Sequence, residues 1–255
     1  MPESALLIDV GNTRLKWGLT SDDGLRRTGQ VSIDKLQATH FSALTTRIPR
    51  RVTQVLVSNV AGPTIGKKLS SVIGLHTGAD VHFAHCVKEG FGIRTAYAQP
   101  RRLGVDRFVA MVGAYAEYRS ALCVVDAGTA ITIDALDRHG QHLGGQIIPG
   151  LRMMSDSLRD KTSDIRPGGS TGKAPGEGLG IFGKSTAQAI SCGAVAAAAG
   201  AVELAVKRMR SSAYRPRIVL TGGDASRILN ALGSKAEHRP HLVLHGLSTM
   251  VSAKR

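Results

Sequence analysis

Hydrophobic and polar positions over the first 20 residues follow the pattern of a β-hairpin. Residues 5–9 form an apolar run that ends in Asp9, and residues 14–19 alternate between polar and apolar side chains. Gly11 and Asn12 lie between the two runs, and such a pair is typical of a tight turn that joins antiparallel strands. The pattern therefore predicts a strand, a turn and a second strand in this segment.

The same pattern returns in the second half of the chain, where an apolar run over residues 122–126 ends in Asp126. Gly128 and Thr129 follow as a turn, and residues 131–134 again alternate between apolar and polar positions. The two strand-ending aspartates are 117 residues apart. Two similar units near the starts of two halves indicate an internal duplication.

The remaining periodicity predicts an α/β protein, in which strands and helices alternate. Strands are predicted over residues 52–59, 144–150 and 217–220, and helices over residues 64–73, 107–118, 194–206 and 226–232. We place the domain boundary near Ser120, with one domain over residues 1–119 and a second over residues 120–255. Residues 155–180 are rich in Gly and Pro and predict a long, mobile loop of a kind that often carries function.

Composition places the chain among globular proteins with a strong excess of positive charge. Of its 255 residues, 42% are hydrophobic, which is enough for a sizeable core. The 33 Lys and Arg residues exceed the 19 Asp and Glu residues, so the formal net charge is +14. Such an excess attracts nucleic acid, an anionic membrane or a small phosphorylated ligand. The low aromatic content, 4%, disfavours a base-stacking platform for single strands.

Cysteine usage and the apolar segments indicate a cytoplasmic protein. Cys86, Cys123 and Cys192 are odd in number and far apart, so they predict no disulfide framework. The N-terminus lacks the basic start of a signal peptide. The most apolar stretch, residues 194–206, is interrupted by Glu203, and we expect a buried helix there because the stretch is too short to span a membrane.

The two Asp-containing turns have the chemistry of a phosphate site. A glycine turn between two strands exposes backbone N–H groups, which bind anions. Thr13 and Thr129 add hydroxyl donors, and Lys16 adds a cation. Asp9 and Asp126 can hold a metal cation or its waters against the phosphates. Two such turns that face one cleft would grip a polyphosphate from both sides; the alternative is a pair of ordinary hairpins without a ligand.

Two further glycine-bounded segments allow a ligand to approach the backbone. Gly222 and Gly223 follow the strand over residues 217–220 and open a helix, so a phosphate or a flat ring can pack on bare backbone there. Residues 144–150 are a strand that a ligand or a second chain can approach closely. The alternatives are an ordinary strand-to-helix turn and an ordinary strand that ends in a Pro-Gly turn.

Two other patterns match known motifs, but their surroundings argue against them. Residues 178–185 satisfy the Walker A pattern, yet a P-loop must follow a buried strand, and the preceding residues 173–177 have the composition of a flexible loop. His82, His85 and Cys86 resemble part of a zinc site, although the chain has no second cluster to complete it.

Five segments taken together resemble, in order, the motifs of type III pantothenate kinases. These segments are Asp9–Lys16, Gly104–Arg107, Asp126–Thr132, Gly144–Gly150 and Leu220–Gly223. The resemblance covers the chain almost from end to end. It implies the fold of the acetate and sugar kinase, Hsp70 and actin superfamily, with two duplicated ribonuclease-H-like domains, mixed sheets flanked by helices and an ATP cleft between the domains. It also implies a homodimer.

The resemblance further implies an enzyme that uses ATP to phosphorylate pantothenate to 4'-phosphopantothenate, the first step of coenzyme A biosynthesis. The implied cofactors are Mg²⁺ and a monovalent cation, K⁺ or NH₄⁺, and neither a membrane nor nucleic acid is expected as a partner. The positive charge keeps open an alternative, a basic nucleic-acid-binding or regulatory protein that retains the nucleotide-binding fold. A P-loop ATPase is a third hypothesis.

Site residues follow from the matching motifs. The implied ATP contacts are Asp9, Val10, Gly11, Asn12, Thr13, Arg14, Leu15, Lys16, Thr129, Gly222 and Gly223. The implied pantothenate contacts are Tyr97, Gly104, Val105, Asp106, Arg107 and Thr186. Asp106 is also the implied catalytic base, and Asp126 is the implied ligand of the monovalent cation. Where family members usually show Thr-Ala-x-Leu-Pro, this chain has Thr162-Ser163-Asp164-Ile165-Arg166, a departure within the predicted loop.

Overall fold

A computed structural model of the chain describes residues 4–21, 24–161 and 181–253. The strands are β1 (Ala5–Val10), β2 (Arg14–Ser21), β3 (Gly24–Ser32), β4 (Gln54–Asn59), β5 (Val81–Phe83), β6 (Glu89–Gly90), β7 (Ile93–Arg94), β8 (Leu122–Ala127), β9 (Ala130–Leu136), β10 (His142–Pro149), β11 (Arg217–Thr221) and β12 (Ala236–His238). The helices are α1 (Ile33–Ala38), α2 (Ser42–Thr45), α3 (Pro63–Thr77), α4 (Val105–Tyr118), α5 (Leu151–Lys161), α6 (Thr186–Ser211), α7 (Ala225–Leu229) and α8 (Leu242–Ser252).

Each half of the chain contains a five-stranded mixed sheet, and the two sheets have the same strand order. The order is β3-β2-β1-β4-β5 in the first sheet and β10-β9-β8-β11-β12 in the second. In both sheets the central strand is antiparallel to one neighbour and parallel to the other. Strands β1 to β5 therefore correspond one by one to β8 to β12, which confirms the α/β class and the predicted internal duplication.

The predicted strands and helices are present, with shifts at their ends. The strand predicted over residues 52–59 begins at Gln54. The helix predicted over residues 64–73 extends from Pro63 to Thr77. Proline suits the first position of a helix because its missing N–H would have no partner there, and Gly78 ends α3 in the left-handed conformation at φ 68°.

The loop predicted over residues 155–180 is wrong at its start, because α5 continues to Lys161. Leu151 and Met154 pack on the core of the second sheet, and this three-residue spacing places both on one helix face. The glycines and prolines that indicated a loop all come later. Residues 162–180, which include the departure from the family pattern, lie outside the described residues.

Helix α6 is longer than the apolar stretch over residues 194–206 that predicted it, at 26 residues. Among the described helices, α6 is the one that is long and apolar enough to cross a membrane. The expectation that this helix is too short for that was therefore wrong. The core helix of a globular protein meets the same criterion. Ala198, Val202 and Val206 of α6 are fully buried in the core of the second sheet, as expected of such a core helix.

The chain divides into two compact units. The second unit spans Ser120–Pro240, and the first combines the residues up to Arg119 with the segment from His241 onward. The predicted second domain, residues 120–255, therefore ends too late, because α8 packs on α4, β1 and β4 of the first unit. An apolar helix face suits either sheet, so the sequence pattern did not reveal which unit α8 joins.

Helices α4 and α8 approach each other closely where both have a glycine. A Cβ added at Gly113 would lie 2.7 Å from the carbonyl oxygen of Leu242 and 2.8 Å from the backbone nitrogen of Gly246. A Cβ added at Gly246 would overlap with the carbonyl oxygen of Val109. Glycine at both positions therefore allows the two backbones to touch, and this contact attaches the C-terminal helix to the first sheet.

We expect Gly246→Ala to lower the free energy of unfolding by about 1–3 kcal/mol, because the added methyl group forces the two helices apart. Urea unfolding followed by circular dichroism measures this change. Gly200→Ala is the matched control, since Gly200 lies within α6 with open space around it. Alanine there should raise stability by up to about 1 kcal/mol through helix propensity. Equal stability of Gly246→Ala and the wild type would contradict the packing argument.

Candidate functional site

A row of three polar side chains crosses the centre of the first sheet. Asp9 on β1 is in register with Lys16 on β2 and with Ser58 on β4. Residues in register on neighbouring strands project from the same face of a sheet. Ile8 and Val10, which flank Asp9, point to the opposite face and join the core beneath α3. Asp9 is only 8% exposed, so its carboxylate is held near the end of a buried strand.

The turn between β1 and β2 is tight and presents polar side chains to solvent. The N–H of Gly11 donates to the carbonyl oxygen of Arg14 at 3.0 Å. Asn12, Thr13 and Arg14 are exposed. An anion that approaches this turn meets amide, hydroxyl and guanidinium groups close to Lys16. The hairpin thus brings together the whole segment from Asp9 to Lys16 that the sequence predicts to bind ATP.

His241 adds a titratable group near this row. It precedes α8 in the left-handed conformation, at φ 60°. Burial lowers the pKa of His241, and the positive charges of Lys16 and His245 lower it further. The neutral imidazole is therefore favoured beside Lys16. Sequence reasoning took His241 to be an ordinary residue.

The second sheet has an equivalent row. Asp126 on β8 is in register with Thr132 on β9 and with Thr221 on β11. This row repeats the carboxylate of the first, whereas Thr132 stands where the first row has Lys16, and Thr221 stands where it has Ser58. Sequence reasoning assigned no role to either hydroxyl residue on the two strands that flank β8. Thr221 had a signal in the sequence, since it ends the apolar strand β11, whereas Thr132 lies within the alternating pattern of β9.

Two glycines enclose the turn that follows Asp126. Gly222 has a φ of 97°, and a Cβ added there would lie 2.6 Å from Oδ1 of Asp126. The N–H of Gly150 donates to the carbonyl oxygen of Thr129 at 3.0 Å, and a Cβ added at Gly150 would overlap with that carbonyl. Only glycine allows the backbone to lie this close to the turn. Gly223, the second predicted glycine, is exposed and has open space around it.

Arg107 and Tyr97, two of the predicted pantothenate contacts, touch each other in the first unit. Nη1 of Arg107 donates to the Tyr97 hydroxyl at 3.1 Å, and the guanidinium lies 5.8 Å from the ring centroid. Arg107 is only 5% exposed. Lys88, which sequence reasoning missed, donates from Nζ to the carbonyl oxygens of Thr95 at 3.1 Å and Tyr97 at 3.3 Å. These bonds hold the segment that carries the Tyr97 ring.

Asp106, the predicted base, lies in the first turn of α4. Its Oδ1 accepts a hydrogen bond from the N–H of Arg107 at 2.8 Å. A Cβ added at Gly104 would lie 2.7 Å from this oxygen, so glycine makes room for the carboxylate. The thiol of Cys86, just beyond β5, donates to the carbonyl oxygen of Leu103 at 3.1 Å. Burial raises the pKa of Cys86 to about 12, and the charge of Asp106 contributes to the rise.

Val105, another predicted substrate contact, is the first residue of α4, whereas Thr186 belongs to the second unit. It is exposed at the start of α6, directly after Ser185, whose hydroxyl caps the helix by accepting from the N–H of Gln188 at 3.3 Å. Residues 181–185, the described part of the Walker A match, contain no strand. The residues that precede the match, where a P-loop requires a strand, lie outside the described residues, so the expectation that this is no P-loop stays a prediction.

The candidate cation ligands among the described residues, Asp9 and Asp126, are separate carboxylates on different sheets. Within residues 4–21, 24–161 and 181–253, no three His, Cys, Asp or Glu side chains lie close enough to hold a metal ion together. A cation at Asp9 or Asp126 would take its other ligands from water, backbone oxygen or phosphate, which is the usual coordination of Mg²⁺ beside a nucleotide.

Sequence comparisons identify the relatives of the chain. The family model of the type III pantothenate kinases matches residues 5–208. A type III pantothenate kinase from Nitrosococcus oceani is 37% identical over 258 residues, with 95% of this chain and 92% of the relative covered. Another from Azoarcus sp. is 33% identical over 249 residues, with 97% and 90% covered.

Solved structures with the same fold come from more distant proteins. A candidate 2-dehydro-3-deoxygalactonokinase from Sinorhizobium meliloti has a TM-score of 0.63 at 14% identity, with 98% of this chain and 99% of that chain covered. The activator of 2-hydroxyisocaproyl-CoA dehydratase from Clostridium difficile, with bound ADPNP, has a TM-score of 0.53 at 12% identity, with 98% and 95% covered. At these identities the likeness shows the fold alone, which is the two-domain fold of actin-like ATPases and related kinases.

Proposed function

The chain belongs to the type III pantothenate kinase family, and we infer that it phosphorylates pantothenate with ATP to give 4'-phosphopantothenate, the first step of coenzyme A biosynthesis. The observation that best supports this is the substrate cluster of Asp106, Arg107 and Tyr97 in the unit that also holds the Asp9–Lys16 hairpin. The family assignment leaves the nucleic-acid-binding and P-loop ATPase alternatives without support.

We propose that the Asp9–Lys16 hairpin binds the phosphates of ATP. Phosphoryl transfer depends on positioning and on neutralising phosphate charge, more than on covalent help from the protein. Lys16 and the turn N–H groups offset negative charge on the phosphates. Bound Mg²⁺ would neutralise further phosphate charge, and Asp9 is the side chain in this hairpin that suits its water shell. Thr129, Gly222 and Gly223 are proposed as the nucleotide contacts of the second unit.

Asp106 is proposed to act on the acceptor hydroxyl. Its carboxylate orients the primary hydroxyl of pantothenate and accepts its proton as the new O–P bond forms. The hydrogen bond from the N–H of Arg107 keeps the carboxylate in one orientation. The neighbouring thiol of Cys86, with a pKa of about 12, stays protonated at neutral pH and offers no competing nucleophile.

Arg107 and Tyr97 are proposed to bind the other end of pantothenate, which carries a carboxylate. A guanidinium pairs with a carboxylate through two parallel hydrogen bonds, and its planar donors are fixed in direction. The contact with Tyr97 restrains the Arg107 side chain further. Gly104, Val105 and Thr186 complete the proposed set of pantothenate contacts.

Asp106→Asn should lower kcat by about 10²- to 10⁴-fold, because the amide cannot accept the proton. The KM for ATP should stay within about twofold of the wild type. A coupled assay of ADP release with Mg-ATP and pantothenate measures both constants, and it tests the kinase activity itself. Asp137→Asn is the control, since Asp137 also accepts backbone N–H bonds, but within the β9–β10 turn. Near-wild-type turnover of Asp106→Asn would remove Asp106 from the role of base.

Arg107→Ala should raise the KM for pantothenate at least about tenfold and leave the KM for ATP nearly unchanged, since a hydrogen bond to a charged group contributes about 1.5–3 kcal/mol. Steady-state kinetics with each substrate varied in turn separates the two constants. Arg94→Ala is a matched control: Arg94 is exposed and pairs with Glu89 at 3.0 Å in the β6–β7 hairpin. An equal rise in both constants for Arg107→Ala would point to a structural role instead.

We also propose that Asp126 holds a monovalent cation, K⁺ or NH₄⁺. The half-buried carboxylate lies against the bare backbone of Gly222, which leaves room for a small ligand beside it, and a cation stabilises a carboxylate that is partly removed from water. Activity should rise steeply with K⁺ or NH₄⁺ and little with Na⁺, and Asp126→Ala should abolish this dependence together with most activity. Initial rates in salts of the three cations measure the effect. Full activity of the wild type in buffer free of K⁺ and NH₄⁺ would refute the cation role.

The assembly is proposed to be a homodimer in the cytoplasm. Strand β10 is an edge strand with Ile147 62% exposed, and Leu204 of α6 is 53% exposed. Both are apolar surfaces of the second unit that a second copy would cover. The three cysteines are free and buried, which suits a reducing compartment. Light scattering at micromolar concentration distinguishes the dimer from a monomer.

A further inference from the structure

Beside the proposed phosphate site, the described residues of the first unit include a buried hydroxyl without a partner. Ser58 ends the apolar run of β4 and is 0% exposed. Its Oγ makes no hydrogen bond to any residue that the structure describes. A buried polar group without a partner costs about 1–3 kcal/mol, and folded proteins pair nearly all such groups. An interaction that Ser58 Oγ forms in another state of the protein would offset the free-energy cost of burying it.

The strand register places Ser58 directly beside Asp9. Strands β1 and β4 are parallel, and the two residues are partners in that pairing. Their side chains project from the same face of the sheet, and neighbouring strands lie about 4.8 Å apart. A serine hydroxyl changes direction by rotation about one bond between three staggered positions. A hydrogen bond from Ser58 to the carboxylate of Asp9 is within reach of such a rotation.

The second sheet repeats the arrangement with a different residue. Thr221 occupies on β11 the position that Ser58 occupies on β4, in register with Asp126. Thr221 is 2% exposed. Both halves thus place a small, buried hydroxyl residue beside the strand-ending carboxylate, although the sequences around them differ. A hydroxyl retained at the same place in two diverged halves suggests a function shared by both.

We propose that Ser58 is a positioning residue for Asp9. When the magnesium complex of the nucleotide binds, the Ser58 hydroxyl donates to the Asp9 carboxylate and holds it in one orientation toward the cation. Ser58 is fully buried, so it acts through Asp9 and does not touch the nucleotide. The hydroxyl has no hydrogen bond to any residue that the structure describes, so gaining this one on binding favours the nucleotide-bound state. The proposal rests on the proposed function, because it assigns Asp9 to the magnesium–nucleotide site.

Ser58→Ala separates this role from a structural one. Removing a hydroxyl that has no partner should leave the Tm unchanged or raise it. Affinity for Mg-ADP, measured by titration calorimetry, should fall about tenfold, whereas affinity for ADP in the presence of EDTA should stay the same. In the kinase assay, kcat/KM for ATP should fall about tenfold and the KM for pantothenate should stay within about twofold.

Two variants serve as controls. Ser58→Thr keeps the hydroxyl and copies the second sheet, so its affinity for Mg-ADP should lie closer to that of the wild type than to that of Ser58→Ala. Thr77→Val removes a buried hydroxyl that has partners, since Thr77 donates to the carbonyl oxygen of Ile73 at 2.7 Å and accepts from the N–H of Ala79 at 3.3 Å. That variant should lower the Tm by about 3 °C and leave Mg-ADP binding unchanged.

Three results would overturn the proposal: wild-type Mg-ADP affinity in Ser58→Ala, an equal loss of affinity with and without magnesium, or a fall in Tm like that of Thr77→Val. The binding measurements need no pantothenate. A wild-type protein that binds Mg-ADP but does not phosphorylate pantothenate would therefore refute the proposed function and still decide the role of Ser58. A wild-type protein that does not bind Mg-ADP would overturn both.

Discussion

Pairing of the central strand with its two neighbours is the constraint on which both polar rows depend. In the first sheet, Leu6, Ile8 and Val10 are fully buried on one face, and Asp9 projects from the other. Side chains alternate between faces, so a slip of one residue would move the carboxylate into the apolar core. An unpaired carboxylate is very costly there. The observed register keeps Asp9 off the face of Leu6, Ile8 and Val10 and aligns Lys16 and Ser58 with it.

The two halves share a topology but have diverged in how they surround the carboxylate. The first half places Lys16 beside Asp9 and exposes polar side chains on its turn. The second half places Thr132 beside Asp126 and brings the bare backbone of Gly222 close to the carboxylate instead. Positive charge suits the phosphates of a nucleotide, whereas close backbone approach suits a compact ligand such as a single cation. Duplication thus supplied two copies of one scaffold, and local substitutions gave them different chemistry.

Net charge and local geometry act over different distances. ATP and pantothenate are both anionic, so a chain with a formal charge of +14 attracts them as they diffuse toward it. Such attraction is screened beyond about 10 Å at 0.1 M salt. It therefore influences encounter and does not distinguish one anion from another. Selection between anions requires groups that are restrained in direction, and Arg107, which is buried and bonded to Tyr97, is a restrained cation of this kind.

The sequence by itself determined the α/β class, the duplicated hairpins and the segments that match the family, because these depend on local patterns of apolar, polar and glycine residues. It misplaced the start of the loop at residue 155 and the end of the second domain, since helix packing partners are not encoded in periodicity. Only the tertiary structure showed that α8 belongs to the first unit, that Lys88 supports Tyr97, and that Ser58 lies beside Asp9. These relations join residues through helix packing, hydrogen bonds to backbone atoms and sheet register, and a pattern read along one segment contains no information about any of the three.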